Sequence, residues 1–178
     1  QPKPADGVAL NYIGADYLDT LGMALRMGRN LTVQDIAHDD HVALISEAAA
    51  KLWVDGASPI GRTIAVDSLV GGGGMNLPLP NAIKEVTVVG IVADTRTRDL
   101  RGPPPLVVFV PYTLRGPANR PLIVRTQVEP TALVNSIRTE LRALDPEQPM
   151  LLPQSVDEIM DRQVVQPRFN MVLFGGLA

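Results

Sequence analysis

The sequence predicts an α+β fold in which segments from both ends of the chain pack together, with a β-rich segment inserted between them. Short strands alternate with helices over the first 54 residues. Strand-like segments dominate from residue 55 to residue 126, and helical periodicity returns at Pro130. The chain has 178 residues, of which 46% are hydrophobic and 20% are charged, so it is long and apolar enough to bury a core.

Eight short apolar segments bounded by turn residues predict strands. They lie, in chain order, at 8–12, 23–27, 42–45, 63–66, 85–92, 106–110, 122–126 and 150–152. The fifth is the strongest prediction because its β-branched residues follow one another almost without interruption, as in a strand that is buried on both faces. Thr32 and Asp35 are expected to form a short polar turn, and the four glycines at 71–74 a flexible loop.

Four segments predict helices, at 16–22, 46–53, 130–144 and 155–165. Gly22 is expected to end the first helix, and Ser46 is expected to cap the second. In the third, apolar residues recur at steps of three and four, which gives the helix one apolar face, and Thr131 is its expected amino-terminal cap. Ser155 and Glu158 have the spacing of a capping box at the start of the fourth.

The composition excludes several functional classes. The 16 basic and 19 acidic residues are scattered and give a net charge of −3, so no nucleic-acid partner is expected. Aromatic residues make up 4% of the chain, too few for platforms that stack on bases. The chain has no cysteine, which excludes a disulfide framework, thiolate metal ligands and a cysteine nucleophile. No run reaches the roughly 18 apolar residues of a complete transmembrane helix.

One cluster of potential metal ligands stands out in the sequence, His38-Asp39-Asp40-His41. Imidazole and carboxylate groups in one loop suit zinc or nickel, and a small metal-dependent hydrolase is the corresponding hypothesis. The spacing matches no helical metal motif, and no further ligand cluster accompanies it. A solvated turn is therefore the favoured interpretation.

The remaining motifs do not complete a catalytic site. The glycines at 71–74 are followed by Met75 and not by the Lys-Ser/Thr pair of a phosphate-binding loop. None of the serines lies in the G-x-S-x-G turn of a serine hydrolase. The charged residues from Asp94 to Arg101 are expected to form a solvated loop, with ligand binding as the alternative. Trp53 is expected to pack in the core or in an interface. The sequence predicts no catalytic, cofactor-binding or metal-binding residue, and no enzyme activity.

The chain ends in a run from Met171 to Ala178 in which every residue is apolar or glycine. The run is too short to cross a bilayer, and no cap, charge or proline ends it. One interpretation is a terminal strand or helix that packs on the core. The other is the beginning of a longer transmembrane helix.

Seven segments carry a further pattern, at 17–35, 42–62, 86–94, 110–112, 122–126, 144–149 and 168–171. The first opens with Tyr17-Leu-Asp-Thr-Leu-Gly22, and the third reads Val86-Thr-Val-Val-Gly-Ile-Val-Ala-Asp94. In this order they resemble the MacB-like periplasmic core domain of FtsX-type ABC transporter permeases. The chain is most similar to the large duplicated permeases that lack a fused ATPase domain.

The resemblance implies an architecture for the whole chain. Residues 1–54 and 119–170 would form a porter-like α/β subdomain, and residues 55–118 an inserted β-rich subdomain of the sabre type. Residues 171–178 would begin a truncated transmembrane helix. The chain is expected to be trimmed at its amino terminus as well.

The resemblance also implies a function on the periplasmic, extracytoplasmic side of the bacterial inner membrane. The domain would couple ATP hydrolysis by a separate cytoplasmic ATP-binding cassette subunit to work outside the membrane, by mechanotransmission in an efflux-type permease. Expected partners are that subunit, reached through the membrane part, a second permease in a dimer, and a periplasmic adaptor or peptide substrate. No cofactor is implied. A ligand-binding sensor module of a regulatory permease is the alternative.

Overall fold

The computed structural model describes residues 8–52, 57–65, 85–95, 103–114, 121–147, 149–150 and 153–159. The chain divides into two compact units, Gln1–Val124 and Arg125–Ala178. The described elements of the first unit are, in chain order, β1 (Ala9–Ile13), α1 (Tyr17–Leu21), β2 (Leu25–Gly28), α2 (Val33–Ala37), β3 (Val42–Ser46), α3 (Glu47–Ala50), β4 (Thr63–Ala65), β5 (Glu85–Val92) and β6 (Val107–Pro111). The second unit contains α4 (Pro130–Leu144) and a helical turn at 156–159.

Six strands form one mixed sheet within the described part of the first unit. The strand order is β1-β6-β3-β5-β2, and β4 also pairs with β5. The pairs β1/β6 and β3/β5 are parallel, whereas β3/β6, β2/β5 and β4/β5 are antiparallel. Strand β5 therefore has β3 along one edge and, along the other, β4 at its beginning and β2 at its end.

The core lies on both faces of the three central strands, β3, β5 and β6. One cluster includes α3 and consists of Ala43, Ile45, Ala49, Val86, Val88, Ile91, Val108 and Val110. The other includes α1 and consists of Ile13, Leu18, Leu31, Leu44, Val92, Val107 and Phe109. Strands covered on both faces need no polar alternation, which explains the nearly continuous apolar sequence of these strands. Full burial of one such large side chain stabilises the fold by about 1.5–3 kcal/mol.

Two glycines allow β2 to approach β5 closely. Gly28 has a left-handed backbone with φ 79°, and a side chain there would overlap the carbonyl oxygen of Val89. A side chain at Gly90 would overlap the carbonyl oxygen of Arg29 and lie 2.9 Å from the side chain of Leu44. Only glycine fits both positions without displacing the neighbouring strand.

The α+β fold class is confirmed, and several elements match their predicted bounds. Strand β5 begins and ends at the predicted residues, and helix α4 ends at the predicted Leu144. Gly22 ends α1 in the left-handed conformation. The Ser46 hydroxyl caps α3, although that helix ends at Ala50. The predicted capping box at the fourth helix is present: the Ser155 N–H donates to the Glu158 carboxylate over 3.0 Å, and the Glu158 N–H donates to the Ser155 hydroxyl over 3.1 Å.

The predicted strand at 122–126 is wrong. These residues lie outside any strand, and the side chains of Leu122, Ile123 and Val124 are exposed. The Thr126 hydroxyl bonds both the N–H and the carbonyl of Val128 at 3.0 and 3.3 Å, so the backbone turns locally instead of continuing in an extended ladder. Met150, from the segment predicted as a strand at 150–152, also lies outside any strand, and 151–152 fall outside the described residues.

Two local predictions at helix starts are also wrong. Thr32 and Asp35 do not form an isolated turn but begin α2, in which they form a capping box. Thr131 does not cap α4, because Pro130 occupies the first turn and Glu129 precedes it as the cap residue. Proline suits that position because its fixed φ is helical and its missing N–H would have had no helical partner.

The proposed division into subdomains remains a prediction. Strands β4, β5 and β6 come from the segment 55–118, and they share one sheet with β1, β2 and β3 from the segment 1–54. No helix among the described residues is long and apolar enough to cross a bilayer. Trp53, the glycines at 71–74 and the terminal run 171–178 fall outside the described residues.

Candidate functional site

Among the described residues of the first unit, the carboxylate of Asp35 is the polar group with the most hydrogen bonds. The guanidinium of Arg29, just after β2, binds it with two parallel hydrogen bonds of 2.7 and 2.9 Å. The backbone N–H and the hydroxyl of Thr32 both donate to the same carboxylate over 2.7 Å. The Asp35 side chain is 6% exposed and that of Arg29 is 48% exposed, so the acid is buried and the base reaches solvent.

These contacts fix the charge state of the pair. The hydrogen bond from Arg29, with smaller contributions from Thr32, lowers the pKa of Asp35 to about 2 despite its burial. The same hydrogen bond raises the pKa of Arg29. The ionised pair fastens the start of α2 to the end of β2. Its chemistry is that of a structural clamp.

A second polar centre joins α3 to two loops. The Ser46 hydroxyl accepts hydrogen bonds from the N–H groups of Ala49 and Val107, over 3.2 and 3.1 Å, and donates to the carbonyl of Pro105 over 3.4 Å. The carboxylate of Asp94, after β5, accepts from the N–H of Ala48 over 2.8 Å. Asp94, placed by the sequence in a solvated or ligand-binding loop, thus satisfies a backbone donor of α3. Arg96, Asp99 and Arg101 lie outside the described residues.

The His38–His41 segment connects α2 to β3, and all four of its residues are exposed. Asp39 adopts a left-handed conformation with φ 54°. The Asp40 N–H donates to the Asp35 carbonyl, and the His41 carbonyl accepts from the Thr87 N–H, each over 2.8 Å. Within the described ranges, no group of three or more potential metal ligands comes together. Backbone hydrogen bonds therefore account for the shape of this segment.

The end of the sheet at β2 presents apolar side chains to solvent. All four residues of β2 are exposed, and Leu25 and Met27 are 39% and 54% accessible. In the described part of the chain, β2 pairs on one side only, with β5. The adjacent Arg26 forms an ion pair with Glu47 at 3.4 Å, in which both side chains are substantially exposed. Such a pair contributes little stability, so the apolar edge is the more distinctive surface feature.

The Arg29–Asp35 clamp was not predicted from the sequence, although part of the pattern that forms it is present there. Thr32 and Asp35 have the three-residue spacing of a capping box, with aspartate in the place usually taken by glutamate. The pairing with Arg29 depends on how β2 leads into α2, which no local spacing encodes.

Comparison with known proteins gives a consistent result. The family model of the MacB-like periplasmic core domain matches residues 2–144. The macrolide export ATP-binding/permease protein MacB of Mannheimia succiniciproducens is 27% identical over 104 residues, which are 58% of this chain and 14% of that protein. The crystal structure of the periplasmic region of MacB from Actinobacillus actinomycetemcomitans matches 76% of this chain and 56% of that one, with a TM-score of 0.52 and 22% identity. The structural likeness concerns the fold alone.

Proposed function

The chain belongs to the family of MacB-like periplasmic core domains, and we propose that it couples movement of a permease's membrane part to work outside the membrane. The resemblance carried by the ordered sequence motifs is confirmed by the family match over residues 2–144. The chain is thus a periplasmic domain of a MacB-like ABC transporter permease of the bacterial inner membrane. That family match is the observation on which the proposal rests.

The proposed energy source is ATP hydrolysis by a cytoplasmic ATP-binding cassette subunit, which reaches this domain through the membrane part of the permease. We propose a dimer of permeases as the working unit, with a periplasmic adaptor or a peptide as the partner or substrate. Macrolide export is what the name of the Mannheimia protein states, and this chain spans 14% of that protein. The proposal for this chain is efflux-type work, and it takes no substrate from that name.

The packing of the sheet supports a mechanical role. Strand β5 is held by three neighbouring strands, and both faces of the central strands are covered by apolar side chains. A close-packed interior of this kind deforms little and passes on displacement applied at one edge. The glycine contact between β2 and β5 and the Arg29–Asp35 clamp secure the exposed β2 edge to this body. A displacement of the sheet would move that edge with it.

We propose that the domain has no catalytic centre of its own. The buried carboxylate of Asp35 is fully engaged by Arg29 and Thr32. The hydroxyl of Ser46 is engaged by backbone groups and has no histidine partner among its bonds. The exposed His38–His41 segment lacks the convergent ligands of a metal-dependent hydrolase within the described residues.

The test uses the full-length permease together with its ATP-binding cassette subunit, reconstituted in membranes. Gly90→Ala should force β2 away from β5, whereas Gly14→Ala is the matched control because a side chain there meets no atom within 4 Å. With both variants normalised to the amount of folded permease, we expect Gly90→Ala to retain ATP hydrolysis and lose transport. Gly14→Ala should retain both activities.

Suppose that Gly90→Ala measurably destabilises the isolated domain and that transport by the permease is nevertheless unchanged. This result would contradict coupling through the sheet. A sensor would behave differently: both variants would leave transport intact, and Gly90→Ala would alter the response of a regulated gene to the inducing ligand.

A further inference from the structure

The second unit contains a cleft that the proposed function does not use. It lies beside the carboxyl-terminal half of α4 and has a volume of about 330 Å³. The volume is at the lower end of the range for small-ligand pockets, and the cleft is open to solvent, since four of its six lining residues are exposed. The cleft is lined by Arg138, Arg142, Pro146, Glu147, Pro149 and Met150.

Two guanidinium groups face this cleft from consecutive turns of α4. Arg138 and Arg142 are four residues apart, which places them on the same side of the helix. The Nη1 atom of Arg138 donates to the Asn135 side-chain oxygen over 2.8 Å, which restricts the orientation of this guanidinium. Within the described residues, neither arginine has a carboxylate within ion-pair distance. Like charges at this spacing destabilise an isolated helix slightly, and an anion between them would relieve that repulsion.

The helix dipole favours the position of only one of the two arginines, Arg142. Arg142 lies in the last turn of α4, where a cation interacts favourably with the helix dipole. Arg138 lies a full turn earlier, where this effect has largely vanished. The helix dipole therefore compensates little of the charge on the Arg138 guanidinium.

The other walls of the cleft define the remainder of the ligand. Pro146 and Pro149 have no N–H group to donate, and Met150 offers a flexible apolar side chain. Glu147 adds one negative charge beside the two positive ones. The combination suits a ligand with one negative charge and an attached apolar chain, because two guanidinium groups facing one carboxylate leave a single positive charge to neutralise.

We propose that this cleft binds an amphiphilic monoanion, with Arg138 and Arg142 on its oxyanion and Pro146, Pro149 and Met150 along its alkyl chain. Carboxylate and phosphate oxyanions both match the planar donor geometry of arginine. The ligand is either a soluble carboxylate amphiphile or the headgroup of a singly charged phospholipid, and both present the same chemistry to the cleft. The site does not depend on the transport proposal, since binding is measured on the 178-residue chain alone.

The experiment titrates the isotopically labelled chain with hexanoate and, in parallel, with acetate, which has the same carboxylate without the alkyl chain. Amide signals of Arg138, Arg142 and Met150 report occupancy by NMR. Vesicles of phosphatidylglycerol in phosphatidylcholine, and of phosphatidylcholine alone, form the lipid arm. We expect saturable shifts with hexanoate and binding of acetate weaker by about tenfold or more, because acetate lacks the four methylene groups that hexanoate would place along the apolar wall.

Four variants identify the contacts. Arg138→Gln and Arg142→Gln should each weaken hexanoate binding by about tenfold, the usual consequence of losing a hydrogen bond to a charged group. Glu147→Gln should strengthen it by about twofold to fivefold, because one repelling charge is removed. Arg62→Gln is the matched control, since Arg62 is exposed like Arg142 but lies in the first unit. Circular dichroism establishes that each variant is folded.

The two titrations distinguish a soluble ligand from a lipid headgroup. Hexanoate binding without vesicle binding assigns a soluble amphiphile. Vesicle binding that requires phosphatidylglycerol and is lost in the arginine variants assigns a lipid headgroup. The proposal is overturned if neither probe gives saturable shifts at α4, if acetate binds as well as hexanoate, or if Arg62→Gln weakens binding as much as the α4 variants do.

Discussion

The two units of the chain hold their elements in place by different means. In the first, β3, β5 and β6 bury apolar side chains on both faces of a sheet, and the buried Asp35 links one helix to the sheet edge. In the second, α4 has no buried residue among its fifteen, and its identified supports are local: a proline in its first turn and a side-chain bond from Arg138 to Asn135. Packing therefore dominates the described part of the first unit, and local sequence signals dominate that of the second.

The largest expected difference comes from the same substitution in the two units. Leu44 is 0% exposed and Leu144 is 85% exposed. Leu44→Ala should lower the free energy of unfolding by about 2–5 kcal/mol because it removes buried methyl groups and leaves a cavity. Leu144→Ala should change it by less than about 0.5 kcal/mol. Urea denaturation of both variants measures the contrast, and equal losses would show that the two units do not differ in this way.

The next largest effect tests the contact between β2 and β5. Gly28 and Gly61 share a left-handed backbone, with φ 79° and 80°, but a side chain at Gly61 meets no atom within 4 Å. Gly61→Ala should therefore cost only the conformational strain, about 1 kcal/mol, whereas Gly28→Ala adds overlap with Val89 and should cost about 2–4 kcal/mol. Thermal unfolding monitored by circular dichroism compares them. A Gly28→Ala protein no less stable than Gly61→Ala would rule out the close approach of the two strands.

The clamp at Asp35 predicts a pH-dependent effect. Its pKa is about 2 in the folded protein and 3.8 at its ordinary value, so the folded state favours the ionised acid. The stabilisation is present above pH 3.8 and is lost as the pH falls through the folded pKa near 2. Asp35→Asn should cost about 1–2 kcal/mol at pH 7, less than the full pKa difference implies because the Arg29 guanidinium is half exposed to solvent.

Urea midpoints of the wild-type and Asp35→Asn proteins, measured at pH 7, 5, 4, 3 and 2.5, follow this prediction. The difference between the two proteins should be constant from pH 7 to 5 and shrink below pH 4. Arg29→Lys keeps the positive charge but removes the two-bond geometry. It should retain less than half of the stability that Arg29 supplies to the folded protein. A difference that stays constant down to pH 2.5 would contradict an ionised, clamped Asp35.

Sequence patterns predicted the sheet better than its connections, for a physical reason. The run of β-branched residues in β5 and the Gly22 and Ser46 caps depend on the residue types themselves, so the pattern suffices. The segment 122–126 has the same composition as a strand but lies outside any strand, because forming one requires a partner that the local pattern does not specify.

The candidate sites were less predictable than the fold. The Arg29–Asp35 clamp joins residues on either side of a turn, and the direction of Arg29 is set by the sheet that precedes it. The cleft beside α4 was not predicted from the sequence, although part of its pattern is present there, since arginines four residues apart share one side of a helix. Its apolar walls follow from the path of the chain after Asp145, which the sequence marks only as the end of a helix.

The smallest effect on global stability is expected at the capping box of the second unit. Ser155→Ala removes the hydroxyl that accepts the Glu158 N–H, while the Glu158 carboxylate still accepts the Ser155 N–H. Loss of such a cap costs about 0.5–1 kcal/mol in the helix that it begins.

Since the described residues around it are exposed, this cost should appear as local opening and leave the unfolding of the sheet unchanged. Hydrogen exchange should therefore accelerate by about twofold to fivefold at 156–159 in Ser155→Ala, with no change in β5. Faster exchange in β5 as well would mean that the helical turn and the sheet open together, and that the contrast between the two units is smaller than their packing indicates.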